Sequence, residues 1–158
     1  MKSWKFLIAA TTLTLVSSWS ILAQTPNNVV LGTWKLNVAK STFSPGPAPK
    51  SQTRIYESTP DGTKLTLRTA TASGEVVSTG TYKLDGKPYP YSGSPDFDAI
   101  AVTPVSDMEL TSNLMRSGKI VGHLSRVLST DHKTLTVHET LTSASGSTVT
   151  ETAIYDRQ

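Results

Sequence analysis

From Asp61 onward, turn-forming pairs interrupt the chain at short and nearly even intervals. They are Asp61-Gly62, Ser73-Gly74, Asp85-Gly86, Ser106-Asp107, Ser117-Gly118, Asp131-His132 and Ser145-Gly146. Gly, Asp and Ser reverse an extended chain because they tolerate or hydrogen-bond the tight backbone of a turn. The runs between them are Thr63–Thr71, Glu75–Leu84, Asp98–Val105, Met108–Arg116, Lys119–Ser129, Lys133–Ser143 and Ser147–Arg157. Each alternates with period two, as in Leu65 and Leu67, in Ile120, Leu124 and Leu128, and in Leu135, Val137 and Leu141. That period belongs to a strand with one buried face, and the abundant Thr, stiff at Cβ, sits well on a pleated sheet. Val29–Asn37, Ser51–Ser58 and a broken stretch at Lys87–Gly93 complete the set.

Short connections make successive strands antiparallel neighbours, hence a meander. An open meander of this length leaves two long unpaired edges, and closing it removes them. The sequence therefore predicts an all-β fold, an antiparallel up-and-down β-barrel of about eight to ten strands, with a two-sheet sandwich as the alternative. One long irregular stretch stands apart, Val38–Lys50, where Pro45, Pro47 and Pro49 keep the backbone extended. It reads as a plain crossover, or else as a flap over the barrel mouth.

The first residues carry a different pattern. Lys2 and Lys5 precede an apolar stretch from Phe6 to Val16, then Ser17-Ser18-Trp19-Ser20 and Ile21-Leu22-Ala23. A basic head, a short apolar middle and a small-residue end describe a secretory signal at 1–23, cleaved after Ala23, with the barrel domain at 24–158. A retained membrane anchor is the rival, against which stand the short stretch and its Thr11, Thr12 and Thr14. The expected location is secreted or periplasmic. The 158 residues include no Cys, so thiolate catalysis and Cys-bound metal are excluded, and the core must hold the fold without disulfides. Without Lys2 and Lys5 the chain has 13 basic and 12 acidic residues, which gives no electrostatic case for a nucleic-acid partner.

Gly32-Thr33-Trp34-Lys35-Leu36 opens the first strand and Ile154-Tyr155-Asp156-Arg157-Gln158 closes the last. The pairing of Gly-x-Trp with a terminal Tyr-x-Arg resembles the calycin superfamily, that is, lipocalins and fatty-acid-binding proteins. The run from Gly32 through the Pro-rich segment, with Asp85-Gly86-Lys87-x-Tyr89-Pro90, is most similar to small secreted bacterial lipocalin-like proteins of unknown function. The resemblance implies a barrel in which an Arg packs on the Trp of the first strand. Geometry agrees: with an even number of strands, Gly32, Trp34 and Arg157 meet at one rim as a structural plug. The resemblance also implies a carboxylate clamp, of which Tyr155 is present while Ala153 stands where an Arg is expected.

The ligand-binding candidates are Arg126, Tyr155 and Tyr82. Arg126 lies on the apolar face of Leu124 and Leu128, and a buried Arg demands either a protein carboxylate or a ligand anion. Glu139 and Glu151 break the apolar faces of nearby strands and are the candidate protein partners. Tyr82, Tyr89, Tyr91 and Phe97 are the densest aromatic group, either lining a mouth or filling the sheet. Catalytic chemistry has thin support. Asp96 and Asp98 suit a turn better than an acid–base pair, and His123 and His138 share a face only in one strand register. No metal motif, nucleophile elbow or phosphate loop occurs, so no catalytic residue, metal or cofactor is assigned. The expected role is a monomeric carrier of a small, mostly apolar, lipid-like molecule, with no nucleic-acid partner and no membrane span after export. An enzyme on the same barrel, or a filled barrel acting through its outer surface, are the alternatives.

Overall fold

The computed structural model describes residues 28–158, so the expected export signal and its cleavage point lie outside the described residues. Eleven strands follow in order: β1 (Gly32–Leu36), β2 (Thr42–Ser44), β3 (Ser51–Thr59), β4 (Gly62–Thr71), β5 (Gly74–Tyr82), β6 (Pro88–Ser92), β7 (Ala99–Ser106), β8 (Glu109–Arg116), β9 (Lys119–Leu128), β10 (Thr134–Thr142) and β11 (Thr148–Arg157). From β3 to β11 each strand pairs antiparallel with the next, β3 pairs with β1, and β1 pairs back onto β11. That last pairing closes the sheet into a ten-strand barrel and rules out the sandwich.

The Pro-rich stretch is not a plain crossover. A short 3-10 turn at Val38–Lys40 interrupts the first wall position, and β2 then resumes along β11, with Phe43 opposite Glu151. Ser41 ties the break together: its hydroxyl donates to the Asn37 carbonyl and accepts from the Ile154 amide. The interruption is local, so no period-two run survives for sequence reading to find. None of its residues borders the interior cavity described below.

Ile120 is a second departure. It was expected beside Leu124 and Leu128 on the inner face, and it is 54% exposed. Between β8 and β9 the register shifts, with Leu114 opposite Gly122 but Met115 opposite Ile120. Val121 is the extra residue of this bulge, and past a bulge the alternation no longer reports the buried face.

One end of the barrel is filled by large side chains. Val30, Trp34, Tyr56, Tyr82, Leu110, Leu135, Val137 and Tyr155 are all buried there or along the barrel axis. Each large side chain so removed from water contributes about 1.5–3 kcal/mol. Trp34 and Arg157 are direct neighbours in the β1–β11 register, and the guanidinium lies 4.1 Å over the indole. Arg157 also donates to the His132 carbonyl at 2.7 Å and the Leu31 carbonyl at 3.0 Å, while the indole N–H donates to the Val30 carbonyl at 2.7 Å. Gly32 has φ +124°, and a Cβ there would stand 2.8 Å from the Arg157 guanidinium. That backbone favours glycine, and a side chain there would also push the Arg157 guanidinium aside.

Candidate functional site

The other end of the barrel is hollow. A cavity of about 270 Å³ opens toward the β4–β5 hairpin and the loop between β6 and β7. Its walls follow from strand alternation: β3 turns Gln52 and Arg54 inward, β9 turns Leu124 and Arg126, β10 turns Glu139 and Leu141, and β11 turns Glu151. Leu65, Leu67, Ile100 and Leu114 supply the apolar wall. At the mouth Phe97 stacks on Tyr91 with ring centroids 4.9 Å apart, and the Tyr91 hydroxyl meets the Ser78 hydroxyl at 2.9 Å. A wider recess of about 740 Å³ lies at the packed end, bordered by Asn28, Leu31, Tyr82 and the residues at and beside the β3–β4 turn and the end of β5. The hollow end holds the buried charges and is the candidate site.

Two guanidiniums dominate it. Arg54 and Arg126 are 3% and 1% exposed. Arg126 donates to the Tyr82 hydroxyl at 3.1 Å and to the Ser112 hydroxyl, and its guanidinium sits 5.6 Å from the Tyr82 ring centre. Arg54 approaches Glu151 at 4.0 Å and lies 5.1 Å from the ring centre of Tyr155. The Tyr155 hydroxyl donates to Gln52. Three buried polar atoms find no partner among the described residues: Nε of Arg54, Nε of Arg126 and the Tyr56 hydroxyl. Orphaned donors on charged side chains are rare in folded interiors and call for an acceptor.

The acids respond to this setting. Burial, and next the neighbouring Glu151 carboxyl, push Glu139 up to about 7 against the opposing pull of Arg54. Burial also raises Glu151, again against Arg54. For Tyr56 burial acts upward, but the Arg54 and Arg126 charges outweigh it and hold the phenol below its ordinary value. Burial sends the Tyr155 phenol up to about 12. Arginine stays charged throughout, so two cations face the carboxyls of Glu139 and Glu151, both of which hold their protons more tightly than usual, with the Asp96 carboxyl at the mouth.

The sequence candidates separate in the structure. Arg126 borders the cavity; Tyr82 and Tyr155 do not, and each stands behind a polar group that does. Glu139 and Glu151, expected as partners of Arg126, are not: Glu151 pairs with Arg54, and Glu139 faces Glu151 across the β10–β11 register. Arg54 and Gln52 escaped sequence reading because Ile55 is the only aliphatic residue of Ser51–Thr59, and its parity points to the opposite face. The aromatic group divides, with Tyr91 and Phe97 at the cavity, Tyr82 in the packed end, and Tyr89 half-buried against the core while its hydroxyl donates to Asp85.

Asp96 and Asp98 hold loops together. Asp96 accepts from the Ala144 amide and its carbonyl from Arg116, each at 2.9 Å, while Asp98 accepts from the Ser117 amide at 2.9 Å. His123 and His138 share the outer face, hydrogen-bonded to Asn113 and Thr152. Neither protein-family models nor curated proteins match this chain. The closed antiparallel barrel is consistent with a calycin-like fold.

Proposed function

We propose that this is an exported, calycin-like binding protein whose barrel holds a small amphipathic anion, its charged end toward Arg126 and Arg54 and its apolar body toward the mouth. The observation that carries the reading is the pair of buried guanidiniums at one cavity, each with an Nε unpartnered among the described residues, and with one carboxylate, that of Glu151 by Arg54, within 4.0 Å of the two. A guanidinium out of water costs several kcal/mol unless its donors are met, so the pair is a poor device for stability and a good one for holding an anion.

Size narrows the class. Ligand cavities commonly span about 300–1,000 Å³, and this one lies just under that range. A short alkyl chain or a single ring with a carboxylate, sulfonate or similar group fits; a long-chain lipid would protrude past Phe97. Arg126 is the proposed direct contact. Tyr82 and Tyr155 act one step back, Tyr82 holding Arg126 and Tyr155 lying against Arg54 while it holds Gln52. Export rests on the basic and apolar pattern of residues 1–23.

Native mass spectrometry of the gently purified exported protein tests the reading, joined to calorimetric titration with octanoate and benzoate. A discrete added mass lost on denaturation, or saturable uptake of either acid, is the expected result. A bare mass with no uptake of either acid would overturn it.

A further inference from the structure

Glu139 has no task in the reading above, yet it occupies the cavity. Its carboxyl borders the open space from β10 and makes no hydrogen bond or ion pair among the described residues. Charged and titratable groups surround it from every neighbouring element. Glu151 lies directly across on β11, and Arg54 on β3 is the partner of Glu151. Arg126 is two residues along β9 from Leu124, which is the residue opposite Glu139. Asp96 in the β6–β7 loop and Tyr91 on β6 complete the set.

Charge balance decides what such a group does. With both acids ionised, Glu139 and Glu151 already offset Arg54 and Arg126, and the Asp96 carboxyl stands at the mouth besides. A bound anion would make three negative charges against two positive ones in a space of low polarity, where like charges repel strongly. Arginine cannot respond, because it does not lose or gain a proton in this range. Glu151 is held by Arg54. Glu139 is the acid left to yield.

Resting on the anion reading, we propose that Glu139 is itself a ligand-contacting residue, which takes up one proton from bulk solvent as the anion enters and then donates a hydrogen bond to it. In the complex the two guanidiniums face Glu151 and the ligand, with Glu139 a carboxylic acid and Asp96 at the mouth. The proton returns to solvent when the anion leaves. The ligand class narrows to monoanions with an acceptor oxygen, and retention becomes sensitive to pH. The elevated affinity of Glu139 for its proton already in the free protein is in keeping with this exchange.

Octanesulfonate is the suitable probe, because its own acid is ionised across the whole range and any pH dependence belongs to the protein. Calorimetry in buffer pairs of different ionisation heat, from about pH 5.5 to about pH 8.5, reads affinity and proton uptake together. The expected affinity is flat at low pH and falls by about tenfold per pH unit above neutrality, with uptake approaching one proton per anion. Glu139→Gln should bind at high pH as wild type does at low pH, without a slope. Should that variant not fold, carboxyl-carbon NMR of the wild type decides, the Glu139 titration moving to higher pH when octanesulfonate is added. Saturable binding with a flat affinity, no proton uptake and an unmoved Glu139 titration would overturn the inference while the anion reading stands. Failure of the wild type to bind either octanesulfonate or octanoate at any pH would overturn both.

Discussion

Arg126 separates a structural from a functional account at the level of one side chain. Its hydrogen bonds go to two neutral hydroxyls, those of Tyr82 and Ser112, and its Nε has no partner. A buried cation so placed is poorly compensated, and a well-packed apolar residue of similar length is often neutral or stabilising in its stead. Arg126→Met is therefore expected to leave the urea midpoint unchanged or raised, while octanoate affinity falls by on the order of tenfold to a hundredfold, the worth of a charged hydrogen bond. A large drop in the midpoint would mark Arg126 as a structural residue instead. Glu139 gives the second test at this scale. Its carboxyl titrates at about 7 in the fold against an ordinary 4.5, so across that interval the folded state binds more protons than the unfolded. Stability from this group is fully present below the ordinary value and is lost as pH rises through 7. Glu151, shifted in the same direction, adds to the trend. Urea midpoints should fall between about pH 5 and about pH 8 by the equivalent of roughly 3 kcal/mol, and Glu139→Gln should remove most of that slope.

Among the elements, β9 shows how far alternation can be trusted. From Gly122 to Leu128 every second residue is buried and the reading is direct; one bulge earlier, Ile120 faces water. Gly122 itself carries no apolar signal, yet it sits tight against β10. A Cβ there would lie 2.4 Å from the Leu141 Cβ and 2.6 Å from the Thr140 carbonyl oxygen, both on or near the backbone and unable to step aside. Gly122→Ala is expected to destabilise by about 1–3 kcal/mol in urea titration, the usual cost of overfilling a packed site. The strands and closure were legible because turn pairs and period two are local, repeated signals. Trp34 with Arg157 was legible because closure of an even-stranded meander brings both chain ends to one rim. Arg54 was not, since a polar inner face reads as an outer one when Ile55 is the aliphatic residue of its strand. The pairing of Glu151 with Arg54 was not either, because it joins the third strand to the eleventh and depends on where each lies around the wall.

Across the whole molecule, the barrel divides its work along its axis. The packed end contains the Trp34–Arg157 pair, the β1–β11 closure and most of the aromatic core, and its recess is bordered by none of the buried charges. The hollow end contains the two guanidiniums, the acid pair and the Tyr91–Phe97 stack. If closure and binding are separate properties of separate ends, variants at the two ends should fail differently. Arg157→Ala removes the cation over the indole and two hydrogen bonds to carbonyls, and so should destabilise by about 1–3 kcal/mol. Its octanoate affinity should stay within about twofold of wild type, since additivity holds for distant sites. Phe97→Ala strips one partly buried ring from the mouth and should cost less stability, because Phe97 packs on the edge of the core. Its affinity should fall by more than tenfold, the worth of about 1.4 kcal/mol, because an aromatic wall meets the apolar body of the ligand. Paired urea and octanoate titrations on the two variants decide the matter. Loss of affinity in Arg157→Ala equal to that in Phe97→Ala would mean that the cavity depends on the closure as a unit, and the division along the axis would be wrong.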